Sequence, residues 1–204
     1  YAYHIYFYRS QLSFGLAGQF FQYKIDQDKL TFYREGDPLI EGDLNTVSFI
    51  PDANFGVYWT NPDWFFGISA NQLFQSVLKL GSGDLGNLKM YRHYYLYGGY
   101  KYANSFSGFS LEPSFLVKTT EQFLPQADFS IKMYYKDDYW FGFSYRTNGS
   151  VGGLFGIRSN QVYIGYSYDY ALSSIRKYSF GSHEILVSYK FGSNARRFRW
   201  LNRY

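Results

Sequence analysis

The segment "QADFSIKMYYKDDYWFGFSYR", Gln126 to Arg146, contains two stretches in which the character of the side chains alternates. In the first stretch, Phe129 and Ile131 alternate with Ser130 and Lys132. The second stretch places Tyr139, Phe141, Phe143 and Tyr145 on one side and Trp140, Gly142, Ser144 and Arg146 on the other. Successive side chains of a β-strand point to opposite faces of the sheet. The segment therefore predicts two strands with one aromatic face and one small or polar face.

The same alternation occurs near both ends of the chain, in Leu12 to Ala17 and in Glu184 to Phe191. The strands that it predicts are roughly 8 to 14 residues long, which exceeds the ~5–6 residues of globular sheets and matches the ~9–11 needed to cross a bilayer. A soluble β-sandwich also has alternating strands. However, its solvent face would carry Lys, Glu and Thr, whereas the second face here is mostly Gly and Ser. The sequence therefore predicts an all-β fold, a transmembrane antiparallel up-and-down β-barrel.

The composition supports a membrane interface. The 204 residues include 24 Tyr and 21 Phe, yet the mean hydropathy is −0.33. Tyr and Trp combine an apolar ring with a polar tip, which suits the boundary between lipid and water. The longest uncharged run, Trp64 to Leu78, is shorter than the ~20 residues of a membrane-spanning helix. There is no cysteine, and the net charge of +4 forms no basic stripe of the kind that nucleic-acid binding needs.

The connections between strands indicate an orientation. Short turns are expected at Asn61–Asp63 and Lys136–Asp138, and longer links at 26–49, Thr147–Gly149 and Ala171–Ser182. Outer-membrane barrels have short periplasmic turns and longer outside loops. About eleven strands are expected, and because such barrels have an even number, at least one N-terminal strand is expected to be missing from this chain. We expect residues 1–192 to form the barrel and residues 193–204 a basic, aromatic periplasmic tail.

Three quoted segments carry a family resemblance. These are "LSFGLAGQFFQYKID" followed by "DPLI", then "IPDANFGVYWTNPDWFFGISANQLFQ", and the closing "IGYSYDYALSSIRKYSFGSHEILVSYKF". Their sequence and order resemble the PorP/SprF family of the type IX secretion and gliding apparatus, over almost the whole chain. Because these proteins usually carry a further N-terminal part, the resemblance agrees with the expectation that at least one strand precedes this chain.

The resemblance implies a non-enzymatic protein of the Gram-negative outer membrane, with no cofactor. It implies a role in type IX protein secretion or in surface-adhesin export and anchoring. The partners would be outer-membrane lipid, periplasmic or outer-membrane components of the machinery, and secreted cargo domains, with no nucleic acid. The alternative is an outer-membrane channel or transporter for a small solute. A third class, a lipid hydrolase or acyltransferase, has the weakest support from the residues.

The histidines do not form a catalytic or metal site in the sequence pattern. "GSHE" at 181–184 offers a Ser, a His and a carboxylate, but His183 and Glu184 are adjacent in a strand and point to opposite faces. His4 and His93 lie in distant strands and have no ligand spacing that suits a metal.

Charges inside strands point to a polar lumen, since a lipid-facing Lys or Arg costs ~2–4 kcal/mol at the bilayer midplane. Lys132 and Glu112 both have the parity of the non-aromatic face, in strands expected to be neighbours. A lumen ion pair between Glu112 and Lys132 is therefore expected.

Two further groups of residues are candidates for partner contacts. The tail could dock a periplasmic partner through Arg196, Arg197, Phe198, Arg199, Trp200 and Arg203. The resemblance also indicates a signature loop at the last outer connection, formed by Asp169, Arg176, Tyr178 and His183. For this loop, stabilising the connection is favoured over direct contact with cargo.

Overall fold

The computed structural model describes residues 1–24, 47–78, 88–104, 108–122, 124–177 and 180–191. These residues form fourteen β-strands and one short 3-10 turn, Ser174–Lys177. The strands are β1 (Ala2–Phe7), β2 (Ser10–Lys24), β3 (Val47–Thr60), β4 (Trp64–Asn71), β5 (Val77–Leu78), β6 (Leu88–Lys89), β7 (His93–Tyr100), β8 (Tyr102–Asn104), β9 (Phe109–Thr120), β10 (Gln126–Tyr135), β11 (Tyr139–Arg146), β12 (Ser150–Ser159), β13 (Val162–Ala171) and β14 (Ser182–Tyr189). None of the described residues belongs to a helix with the length and apolar character needed to span a membrane.

Twelve of the strands form one antiparallel sheet, in the order β1-β2-β3-β4-β7-β9-β10-β11-β12-β13-β14, with β8 also paired to β9. Because β7 and β8 pair with successive parts of β9 on either side of Lys101, they occupy one strand position. The sheet thus has eleven positions, and each strand pairs with the next along the chain. The predicted all-β, up-and-down arrangement of about eleven strands is confirmed. The remaining strands, β5 and β6, form a separate two-stranded hairpin.

The sheet is open in the described residues, with β1 and β14 at its edges. Eleven strand positions make ten antiparallel steps from β1 to β14, so the two edge strands run in the same direction. A direct pairing between them would be parallel, unlike every other pairing in this sheet. The additional N-terminal strand expected from the sequence stays a prediction.

The register separates the side chains into two faces. Ser114 pairs with Ser130, Ser130 with Ser144 and Ser144 with Gly152, so one row of small polar residues crosses four strands. We call the face with this row the inner face. The neighbouring row, on the apolar face, consists of Phe115, Phe129, Tyr145 and Val151.

Burial is inverted relative to a water-soluble protein, whose interior is mainly apolar. Among the described residues, the only buried hydrophobic residue is Ile50, at 6% exposure. The buried polar or charged residues are Gln11, Asp52, Thr60, Ser110 and Glu112, and all of them share the inner face. By contrast, Phe143 on the apolar face is 66% exposed. An exposed apolar face of this extent indicates contact with another apolar phase.

Tight turns close one end of the sheet. Lys136 and Asp137 both adopt positive φ (53° and 57°), and Asp138 N–H donates to the Tyr135 carbonyl over 3.2 Å. Two successive left-handed residues match the twist of a hairpin. At the opposite end, the prediction that Thr147–Gly149 is a longer link is wrong. These three residues form a turn as short as the one at Lys136–Asp138. Gly149 has a φ of +88° and its N–H donates to the Arg146 carbonyl over 2.9 Å, so the chain reverses within this short turn.

The assignment of the two faces can be tested directly in β14, because Ile185 and Leu186 are adjacent in this strand and both are exposed, at 76% and 56%. Ile185 lies on the apolar face and Leu186 on the inner face. We expect Ile185→Lys to lower the free energy of unfolding from bilayers by ~2–4 kcal/mol, since it places a cation in lipid. Leu186→Lys should change it by only ~0.5 kcal/mol. Chemical unfolding of both variants in lipid vesicles measures the difference. Equal losses would contradict the assignment of the faces.

Candidate functional site

The inner face collects the charged residues of the sheet. Nine Asp, Glu, Lys or Arg side chains occupy inner-face strand positions: Asp52, Glu112, Lys118, Asp128, Lys132, Arg146, Arg158, Asp169 and Glu184. At the apolar-face positions, Lys24 at the end of β2 is the only residue of these four types in the described strands of the sheet. An apolar face that is almost free of charge next to a charged inner face is the distribution expected for a lipid-facing wall around a polar lumen.

The register places Lys132 directly opposite Glu112, on neighbouring strands β10 and β9. Glu112 is buried and its Oε1 accepts a hydrogen bond of 3.5 Å from the Tyr134 hydroxyl. The ion pairs within 4.0 Å that the described residues form join other side chains. The Glu112–Lys132 pair therefore stays a prediction, favoured by its position in the register.

A second carboxylate–cation contact, absent from the sequence analysis, joins β10 to its other neighbour, β11. Asp128 and Arg146 are direct partners in the register, and their Oδ2 and Nε atoms are 3.3 Å apart. Gln126 Nε2 donates to Asp128 Oδ1 over 2.9 Å, which holds this carboxylate. The equal distance of the two residues from the Lys136–Asp138 turn could have revealed the pair.

Aromatic rings and a lysine occupy the tight-turn end of the inner face. Trp140 stacks on Tyr163 with ring centroids 5.8 Å apart. A Cβ at Gly156 would lie 2.4 Å from the Trp140 ring, so this position must be glycine for the indole to lie across β12. Nearby, Lys101 Nζ lies 4.9 Å from the Tyr134 ring centroid and 2.8 Å from Asp137 Oδ1.

The histidines take different environments. His183 is on the apolar face, where its Nδ1 contacts the Tyr166 hydroxyl at 2.6 Å and its ring lies 4.8 Å from that of Tyr168. Glu184 is on the opposite face, as strand parity predicts. An aromatic and histidine cluster at the strand end suits a membrane interface. In the rest of the signature loop, Asp169 faces inward opposite Gly152, Arg176 is exposed in the 3-10 turn, and Tyr178 lies outside the described residues.

One Ser–His contact is present on the inner face. His4 Nδ1 lies 2.8 Å from Ser13 Oγ, and Gln11 Nε2 lies within 3.1 Å of both atoms. A hydrolytic triad also needs a group that orients the histidine, and no carboxylate contacts His4 among the described residues. Within these residues, no group of three or more His, Asp or Glu side chains could hold a metal ion.

A polar cluster stands at the long-link end, on the side of the apolar face. We call it the rim cluster; it consists of Gln75, Arg92, Tyr94 and Glu121. Arg92 Nη1 donates to Glu121 Oε1 and to the Tyr94 hydroxyl, each over 3.3 Å, and Nη2 donates to the Leu73 carbonyl over 2.6 Å. Gln75 Nε2 donates to Glu121 Oε2 over 2.6 Å. The cluster thus ties the segment after β4 to the ends of β7 and β9.

Electrostatics within the rim cluster favour its charged forms. The hydrogen bond from Gln75 lowers the pKa of Glu121 most, and the Tyr94 hydroxyl and the charges of Arg92 and Lys89 lower it further. The hydrogen bond to Tyr94 and the Glu121 carboxylate raise the pKa of Arg92. At pH values above the usual carboxylate pKa, ionised Glu121 therefore stabilises the rim cluster. This contribution is lost as the pH falls through the lowered pKa of Glu121.

The predicted docking tail, Arg196 to Arg203, lies outside the described residues, as does the proposed domain boundary at residue 192. Both remain predictions.

A protein-family model described as "Type IX secretion system membrane protein PorP/SprF" matches residues 1–189. No curated protein and no solved structure matches the chain at a significant level.

The inner-face pair can be tested by a double-mutant cycle. We expect Glu112→Gln and Lys132→Met each to lower the thermal stability of the folded protein more than the combined variant does, because each single change leaves one charge without its partner. The coupling should be ~0.5–3 kcal/mol. Loss of heat-modifiable migration on gels gives the stability of each variant. Additive losses would contradict the pair.

Proposed function

Because the chain belongs to the PorP/SprF family of type IX secretion system membrane proteins, we propose that it is a non-enzymatic outer-membrane barrel wall that serves secretion or the export and anchoring of surface adhesins. The two-faced sheet is the observation that supports this proposal best. Its apolar face suits a bilayer, and its charged inner face suits a lumen.

The proposed orientation follows from the connections. The tight turns at 8–9, 61–63, 136–138 and 160–161 share one end of the sheet, and the strand ends that residues 25–46 and 172–181 connect share the other. We propose that the tight-turn end faces the periplasm and the long-link end faces outward, as in other outer-membrane barrels.

A non-enzymatic role is supported by the local chemistry. The Ser13–His4 contact has no carboxylate partner in the described part of the chain, and the parity of His183 and Glu184 separates them. In this proposal the protein acts through its surfaces, by binding periplasmic or outer-membrane components of the machinery and secreted cargo domains.

We propose that residues 193–204 dock a periplasmic partner. The tail follows the last strand, β14, which runs toward the tight-turn end. Its arginines and its aromatic residues Phe198 and Trp200 are residue types enriched at the centres of protein interfaces.

The charged inner face also favours a second candidate, a channel for a small polar solute. The two candidates differ in where function resides. A channel depends on lumen residues such as Lys132 and Arg158, whereas an anchor or adaptor depends on loops and tail.

Deleting Asn194 to Tyr204 separates these candidates. We expect a folded, membrane-inserted protein, because β14 ends at Tyr189, but a recovery of periplasmic partners reduced about tenfold, as for loss of ~1.4 kcal/mol of interface energy. The measurement is quantitative mass spectrometry of proteins that co-purify from native membranes in mild detergent.

A tail of the same composition in scrambled order is the matched control, because it keeps the charge and the length. Partner recovery that is unchanged by the deletion would reject docking through the tail. Single-channel conductance that the deletion leaves intact, but that Lys132→Met alters, would favour the channel.

A further inference from the structure

A groove of about 410 Å³ lies on the apolar face near the long-link end. The register aligns Phe55, Ala70, Tyr94 and Thr119 in one row across β3, β4, β7 and β9. The small side chains of Ala70 and Thr119 lie on either side of the Tyr94 ring, which leaves a depression. The walls of this groove are almost wholly apolar, and the groove opens on the face of the sheet assigned to lipid.

The rim cluster stands directly beyond this row. Tyr94 belongs to both, since its ring lines the groove and its hydroxyl contacts Arg92 and Glu121. Lys89 adds a second cation, which lies close enough to the rim cluster that its charge helps to lower the pKa of Glu121. Lys89 is exposed, its Nζ lies 5.8 Å from the Tyr91 ring centroid, and among the described residues no carboxylate lies within 4.0 Å of it. The groove therefore has an apolar body and a rim with two cations and one carboxylate.

A second groove on the same face lacks such a rim. It has a volume of about 450 Å³ and is lined by Phe129, Ile131, Phe143, Tyr145 and Val151. In the described part of the chain, no Lys or Arg occupies an apolar-face position on the strands that border it. The two grooves are thus similar in size and in apolar character but differ in charge.

From this combination we infer that the groove at Ala70 and Tyr94, with Lys89 and Arg92, binds a phosphorylated acyl glycolipid of the lipid A class. An acyl chain would fill the groove, and a phosphate would lie against the two cations. The choice of an outer-leaflet lipid rests on the proposed outer-membrane location and orientation. The site itself rests on the groove and its rim.

The chemistry of the rim favours a phosphomonoester. The Arg92 guanidinium is held in place by Glu121, Tyr94 and the Leu73 carbonyl, so little side-chain freedom is lost on binding. Lys89, Arg92 and Glu121 together carry a net charge of +1. A phosphomonoester carries about −1.5 to −2 charges near pH 7, whereas the phosphodiester of phosphatidylglycerol carries one.

The experiment is native mass spectrometry of the delipidated protein in detergent. Lipid A, dephosphorylated lipid A and phosphatidylglycerol are titrated separately. We expect one lipid A per chain to bind more tightly than either comparison lipid. Lys89→Gln should weaken lipid A binding about fivefold, and Lys89→Gln with Arg92→Gln about thirtyfold, at ~1 kcal/mol per cation near a membrane surface. Equal binding of the three lipids, or no effect of the two cations, would overturn the inference.

Three further variants separate a lipid site from a structural role of the rim. Ala70→Phe fills the groove and should abolish the tight site, while Val151→Phe, the matched change in the second groove, should not. Glu121→Gln removes the charge that repels phosphate but keeps a side-chain oxygen that can accept from Arg92, so it should strengthen binding, whereas a purely structural rim would be loosened. Equal losses for Ala70→Phe and Val151→Phe, or weaker binding after Glu121→Gln, would contradict the site.

Heat-modifiable migration verifies the folding of each variant. If Ala70→Phe fails to fold, Lys89→Gln still tests the site, because Lys89 is exposed and lies in the small β5–β6 hairpin, outside the main sheet. The tail-deletion pull-down has no lipid readout, so the lipid site and the secretion role can fail independently.

Discussion

Hydrocarbon offers no partner to a backbone N–H or C=O group, so a chain that crosses it with strands must pair every strand with a neighbour. In the described part of this protein, twelve strands are paired in one up-and-down sheet in which sequence neighbours are spatial neighbours. Once the register is set, each side chain is assigned to lipid or to lumen, and a slip by one residue would exchange the two. The buried Glu112 and the exposed Phe143 are both consequences of that register.

Two kinds of surface follow, and the proposed functions are divided between them. The inner face contains nine charged residues and buries Asp52 to 2% exposure, and backbone groups satisfy part of this buried carboxylate. Asp52 Oδ1, for example, accepts the backbone N–H groups of Ala53 and Phe74. The apolar face varies less in chemistry, and its local features are grooves where small residues adjoin aromatic ones. Selective recognition on that face therefore depends on its borders, where polar groups meet water.

The sequence predicted much of the fold, because a period of two within one strand is a local signal. Alternation in Gln126 to Arg146 was enough to assign both faces of β10 and β11, and parity placed His183 and Glu184 on opposite sides. Features that depend on the alignment of several strands are harder to predict from the sequence. The Asp128–Arg146 contact needs the register of the hairpin, and the groove at Ala70 needs four aligned strands. The period of two also does not predict the short Thr147–Gly149 turn, because its length depends on one left-handed glycine.

In this structure, alternate residues of each strand of the main sheet face lipid and a polar lumen. Spin labels at four successive positions of β10, Phe129, Ser130, Ile131 and Lys132, test it in bilayers of defined composition. Collision with oxygen, which concentrates in hydrocarbon, is compared with collision with a water-soluble nickel chelate. Positions 129 and 131 are expected to be accessible to oxygen, whereas positions 130 and 132 are not. Access of the nickel chelate to positions 129 and 131, or no alternation between adjacent positions, would contradict it.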